Sequence, residues 1–190
     1  MNEVEDNKLI DRVVLLSDQH AFSELVKRHQ SALRYSIRQM CGGDEALADD
    51  LAQETFIKMY SSLASFKKQS KLSSWLYSIA LNVVRQRFRK QASSPSTVAI
   101  DNTELEAKPA DEKPQGAELD QQQLHRELAR AMAKLSLDQR TALHLFMHKQ
   151  FTHQEIADIM QLPLGSIKTH INRGRVILQQ ELASWKESSL

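Results

Sequence analysis

Apolar side chains recur at helical spacing through most of the chain, and they fall into two blocks. In the first, Phe22, Leu25, Val26, His29, Leu33, Ile37 and Met40 repeat at the interval that aligns side chains on one helix face. Cys41-Gly42-Gly43 then offers a stop, because glycine takes the left-handed conformation that closes helices, and Asp44 can cap the next one. Ala48, Leu51, Ala52, Thr55, Phe56, Met59, Tyr60 and Leu63 make a second stripe. A short basic loop over Ala64 to Lys71 leads to a third helix with Leu72, Trp75, Leu76, Ile79 and Val83 on its inner face. Trp75 and Phe56 are expected in the core, and a weaker leading helix is predicted from Lys8 to Leu16.

In the second block Leu124, Leu128, Ala131 and Leu135 space one helix, and Ala142, Leu143 and Phe146 another. Thr152-His153-Gln154-Glu155 has the form of a capping box, so a short helix opens there. Gln161-Leu162-Pro163-Leu164-Gly165 breaks the chain before a last helix from about Ser166 to Ala183. Strand-like alternation is absent and there are only five glycines. Between the blocks lie Pro95, Pro109 and Pro114, a Ser-Ser-Pro-Ser-Thr run and few large apolar residues, a composition that cannot bury enough surface to fold alone. The pattern predicts an all-α protein of two small helical domains, residues 1–91 and 119–190, joined by a flexible acidic linker over 92–118, the second domain carrying a helix-turn-helix.

Charge sharpens this division. The net charge of the 190 residues is +1. Yet residues 1–91 hold 14 Lys/Arg against 11 Asp/Glu, residues 92–125 hold 2 against 7, and residues 126–190 hold 9 against 6. Two mildly basic blocks flank an acidic connector, an arrangement suited to an anionic partner. One cysteine, Cys41, excludes an internal disulfide and a cysteine-rich zinc site. The acidic N-terminus lacks the features of a signal peptide, and no apolar run is long enough to span a membrane, so a cytoplasmic protein without membrane insertion is expected.

Two segments carry candidate chemistry. The span Glu155–Arg175 has the helix, tight turn and helix of a DNA-binding helix-turn-helix, with Ala157 small enough for close approach of the two helices. On the second helix Ile167, Ile171, Gly174 and Leu178 fall on one side, and Thr169, Asn172, Arg173 and Val176 on the other, with Lys168 at the edge. Arginine binds guanine bidentately, asparagine binds adenine, and lysine neutralises phosphate. The second segment runs from Thr55 to Ile100 without an acidic residue, yet it holds eight bases and six of the eleven aromatics. Bases with interleaved aromatics suit single-stranded nucleic acid, whose backbone needs charge and whose unstacked bases need flat partners. Ser74, Ser78, Asn82, Arg85 and Arg89 align there as a polar stripe.

These residues resemble the extracytoplasmic-function sigma factors of bacterial RNA polymerase. Asp49-Asp50-Leu51-Ala52-Gln53-Glu54-Thr55-Phe56 is similar to the family's polymerase-binding signature, Phe66 through Trp75 to Asn82 to its minus-10 loop and helix, and Glu155-Ile156-Ala157 with Leu164 to Lys168 to its minus-35 motif. The resemblance implies promoter-specific initiation on core RNA polymerase, with no cofactor, no metal and no catalysis of the chain's own. It implies polymerase contacts from Asp49, Asp50, Gln53 and Glu54. It assigns single-stranded minus-10 DNA to Phe66, Lys67, Lys68, Lys71, Ser78, Asn82, Arg85 and Arg89, and duplex minus-35 DNA to Ser166, Lys168, Thr169, Asn172 and Arg173. An anti-sigma partner is implied as well. Lys68 stands where the family usually has glycine, so an altered loop backbone is expected. Ser136 replaces a usual proline, and His170 and Gly174 stand where arginine and alanine are common.

Other readings explain less. His144 and His148 with His153 suggest zinc, but lack an evident further ligand and read better as surface histidines. Asp49, Asp50 and Glu54 suit a partner-facing helix better than a metal site. A two-domain regulator with a sensory N-terminal domain accounts for the helix-turn-helix but not for the acid-free basic stretch. An interaction adaptor would bind polymerase without supporting transcription.

Overall fold

A computed structural model describes residues 3–93, 128 and 130–188. Its helices are α1 (Glu3–Leu16), α2 (Gln19–Met40), α3 (Glu45–Ser62), α4 (Leu72–Ser93), α5 (Leu137–Met147), α6 (His153–Met160) and α7 (Leu164–Ser188), with a 3-10 turn at Leu63–Ser65. No strand occurs among the described residues. Residues 94–127, and with them nearly all of the expected linker and Leu124 of the predicted leading helix, lie outside the described residues; Ala131 and Leu135 of that stretch are buried.

The predicted stops and starts have local causes. The α2 helix ends at Cys41, and Gly42 and Gly43 follow at φ 75° and 102°, where a side chain would be strained. Gly43 N–H donates to the Arg38 carbonyl at 2.9 Å, closing the last turn. Asp44 caps α3 by accepting from the Leu47 N–H at 2.9 Å. Thr152 and Glu155 form the reciprocal box at the head of α6. Ser136 makes a second such box with Gln139 at the head of α5. The turn between α6 and α7 is made by Gln161 at φ 54°, and α7 begins at Leu164, two residues earlier than the sequence suggests, with Pro163 carbonyl accepting from Ser166 and Ile167.

In the first block Leu25, Leu33, Ile37 and Met40 of α2 meet Leu51, Met59, Leu76 and Leu81 of α3 and α4. Burying one such side chain contributes about 1.5–3 kcal/mol. The leading helix starts earlier than its apolar spacing suggests, because a polar residue anchors its first turns. Asp6 is buried, with Oδ2 3.0 Å from His29 Nε2 and Oδ1 accepting from Arg28 at 3.3 Å. Trp75 and Phe56, expected in the core, are only partly buried and pack at its edge.

The two blocks pack on each other, α5 against α2 and α6 against α4. The seam between them is aromatic and polar. Tyr77 meets Phe151 edge-on at 5.8 Å, and the Lys149 ammonium lies 5.8 Å above the Tyr77 ring. Ser36 Oγ donates to its own helix at Ala32 O, so it accepts from His144 Nε2 at 3.0 Å. His144 is therefore a correction to the surface reading: it is 2% exposed, while His148 is exposed and His153 stacks on Phe146 at 4.9 Å. Cys41 is half-buried in the same seam, near Arg140.

Candidate functional site

Three surfaces gather the chemistry-bearing residues. On α3, Asp50, Gln53 and Glu54 are exposed, while Leu51, Ala52 and Thr55 beside them are buried. The helix thus shows a polar face outward and fixes its inner face in the core. Ile57 falls on the same outward side and is 69% exposed. Sequence reading missed it, although an apolar side chain one turn beyond the Gln53-Glu54 pair was the available signal. Asp49, one turn before Gln53 at the edge of this face, is half-buried, and its carboxylate is held by Arg34 through bonds of 2.7 and 2.6 Å. It joins α2 to α3.

The second surface is the loop after the 3-10 turn together with one side of α4. Phe66 is turned inward and packs against Trp75, ring centroids 5.0 Å apart. Lys67 is exposed. Lys68 takes φ 57°, within the region glycine favours, so the loop keeps a glycine-like backbone there while carrying a charge that pairs with Asp11. Lys71 lies 3.9 Å from Glu3. On α4, Ser78 Oγ donates to the Trp75 carbonyl at 2.7 Å, and Asn82 and Arg89 are exposed. Asn82 stands ten residues along α4 from Leu72, about 15 Å at a helical rise. It lines an open cleft of about 640 Å³ with Arg85, Phe88, Arg89, Ser136 and Asp138. No loop residue lines that cleft.

The third surface is the outward face of α7. Ile167 and Ile171 are buried, and with Gly174 they seat the helix on α5 and α6. Lys168, Thr169, Asn172 and Arg173 are exposed, as is Val176 at 49%. Thr169 Oγ1 donates to the Gly165 carbonyl at 2.9 Å, and Ser166 is half-buried. Arg175, exposed and two turns along the same edge from Lys168, lies 5.1 Å from the Phe146 ring centre. On α6 Ile156, Ala157 and Met160 are buried beneath the turn. A helix held this way presents two donors of bidentate geometry and one point charge to a groove.

No group of three or more potential metal ligands occurs among the described residues, and no helix of theirs is long and apolar enough to cross a membrane.

A bundle offering an acidic-polar helix face, a basic loop and helix, and a separate helix-turn-helix defines a promoter-recognition subunit. Comparison with known proteins agrees. Residues 25–94 match the family model for Sigma-70 region 2, and residues 125–178 match that for Sigma-70 region 4. The chain is 29% identical over 188 residues to the RNA polymerase sigma-H factor of Pseudomonas aeruginosa, covering 96% of each. It is 30% identical over 187 residues to the ECF RNA polymerase sigma-E factor of Salmonella typhimurium, covering 95% of each. It superposes on the sigma factor RpoE of Bartonella quintana, solved with the anti-sigma factor NepR, with TM-score 0.63 and 27% identity over 85% of this chain and 96% of that one. The chain belongs to the extracytoplasmic-function sigma factors, and it directs promoter-specific initiation of transcription by RNA polymerase.

Proposed function

We propose that the three surfaces divide this work among themselves. Asp50, Gln53 and Glu54, with Ile57 added, dock on core polymerase, and Asp49 holds the α2–α3 edge that presents them. The Phe66–Lys71 loop with Ser78, Asn82, Arg85 and Arg89 receives the opened minus-10 strand. Ser166, Lys168, Thr169, Asn172 and Arg173 enter the minus-35 major groove, with Val176 placed for a thymine methyl. Residues 1–91 and 119–190 act as the two reading domains and 92–118 as their tether. The chain contributes no catalytic group, works in the cytoplasm, and is held by an anti-sigma protein as the Bartonella relative is. The observation that carries this reading is the segregation on α7, where every proposed reader except half-buried Ser166 is exposed while Ile167 and Ile171 between them are anchored in the core.

Transcription in vitro with core polymerase, this chain and a library of promoter fragments tests it. Start sites sharing two spaced elements support the proposal; transcription that needs another sigma factor refutes it. Two expected outcomes refine the assignment. Gln53→Ala with Glu54→Ala, or Ile57→Glu alone, weakens core binding about tenfold or more with helix content unchanged, the loss expected for central contacts of an interface. Equal affinity in a competition assay would remove α3 from that interface. On α7, Arg173→Ala costs roughly 1–3 kcal/mol and relaxes preference at one minus-35 base, whereas Lys168→Ala weakens all sequences alike and lowers the salt slope. A promoter scan showing the same uniform loss for both would make Arg173 a phosphate contact.

A further inference from the structure

The loop between the 3-10 turn and α4 is tied down at its ends and scarcely between them. At one end the Phe66 N–H donates to the Leu63 carbonyl at 3.1 Å, and the Phe66 ring is buried against Trp75. At the other the Lys71 carbonyl accepts from the Trp75 N–H at 3.2 Å, in the first turn of α4. Lys67, Lys68, Gln69 and Ser70 are all exposed, and among the described residues none of the four takes part in a hydrogen bond from main chain to main chain. Lys68 nevertheless holds φ 57°. Left to itself a lysine disfavours that conformation by a factor on the order of ten in population, because its Cβ crowds the following carbonyl oxygen, whereas glycine adopts it freely.

What holds it is a carboxylate from outside the loop. Lys68 Nζ donates to Asp11 Oδ1, across 57 residues of chain. From Thr55 to Ile100 there is no acidic residue, so a tie of this kind has to come from another element, and α1 supplies it. Ile10 and Val13 on either side of Asp11 are buried, so the core fixes the helix that carries the carboxylate. Glu3, about two turns earlier on α1, lies 3.9 Å from Lys71. An ion pair with side chains 55% and 33% exposed adds little to global stability. It can still select one conformation of a loop that has no main-chain bonds to specify it. We propose that Asp11 is a positioning residue for minus-10 recognition: by holding the Lys68 ammonium it keeps Lys68 left-handed, and so sets the path of the loop that receives the opened strand. This role rests on the assignment of the loop to the minus-10 element. A loop held beforehand in its bound shape removes an ordering cost from strand capture. The same pair engages the Lys68 charge within the protein and leaves exposed Lys67 to meet phosphate.

The test is a double-mutant cycle read in holoenzyme assembled from core polymerase and the full chain. Permanganate follows open-complex formation on duplex promoters varied base by base through the minus-10 element. In the wild-type background Asp11→Ala and Asp11→Asn are expected to lower open-complex formation about fivefold, the upper end for one exposed pair, and to flatten the preference among minus-10 bases. In a Lys68→Gly background the same two changes are expected to shift either readout by less than about twofold, because glycine holds the conformation unaided. Losses of equal size in both backgrounds overturn the proposal, since Asp11 would then act without Lys68. No loss in the wild-type background overturns it too. A further variant, carrying Lys67→Gly, Lys68→Gly, Gln69→Gly and Ser70→Gly together, separates this failure from that of the assignment beneath it. If the four-glycine loop impairs opening while Asp11→Ala does not, the loop meets the strand and only the positioning role is wrong. If the four-glycine loop opens promoters with unchanged yield and base preference, the assignment of the loop to the minus-10 strand is at fault, and the positioning role falls with it.

Discussion

Replacing Asp6 by alanine is expected to lower the stability of the first block by about 3 kcal/mol, the sum of a lost buried hydrogen bond to a carboxylate and the orphaned partner it leaves. Asp6 and His29 are 4% and 3% exposed, and their 3.0 Å contact joins α1 to α2 across 23 residues. The substitution leaves the His29 ring nitrogen buried with its partner gone, and it opens a small cavity under α1. Glu5 is the internal control. It pairs with the same Arg28 at 2.6 Å, but from an exposed position where water replaces it readily. Urea unfolding should therefore show a large loss for Asp6→Ala and a much smaller one for Glu5→Ala. Equal losses would mean that α1 is held by its apolar residues Ile10 and Val13 and not by the carboxylate.

Mild acid is expected to open the seam between the blocks by about 2 kcal/mol at pH 5, through His144. Burial pushes this imidazole down to about 3, with His148 and Lys149 adding repulsion. From α2 it faces the Tyr35 ring and the Ser36 hydroxyl, which are uncharged, and Arg140 lies one turn back on its own helix. In the closed form His144 is neutral; released into water it titrates near 6.5. The open form thus binds more protons below that value. The stabilisation of the closed form is complete above about 6.5 and drains away as pH falls toward the depressed value, and the window from 6.5 to 5 precedes carboxylate titration. Energy transfer between dyes on the two blocks should fall across this window in the wild type. It should stay flat in His144→Gln, which cannot take up a proton. Parallel curves for the two proteins would place the pH response elsewhere.

How far the sequence reached depended on the distance over which each interaction acts. The stripes on α2, α3 and α4, the Thr152–Glu155 box and the two sides of α7 all arise within a few residues, and their spacing carries them. Contacts between helices leave no such trace. His29 fits its helix's apolar stripe, but that spacing does not tell that an aspartate 23 residues earlier meets it. His144 looks like one of a surface pair at one-turn spacing, because the hydroxyl that receives its proton is 108 residues away. Asp49 reads as part of an acidic polymerase-facing run, yet Arg34, on another helix, takes both its oxygens. The start of α1 was hidden for the same reason, since a buried carboxylate rather than an apolar repeat fixes it. Lys68 shows the converse: its departure from glycine was visible, but whether the backbone followed was a matter of the loop's fit.

The seam also holds the chain's single thiol. Burial raises Cys41 to about 11, only partly relieved by the positive charge of Arg140. At neutral pH fewer than about one molecule in a thousand would then carry the thiolate, the form that reacts with alkylating agents and peroxides. Solvent exposure returns a cysteine to about 8.5 and increases that fraction by more than a hundredfold. The rate at which the native protein takes up a mild alkylating reagent is therefore a clock for how often the two blocks part. It needs no engineered probe, and the same chemistry keeps this cysteine reduced for as long as they stay together.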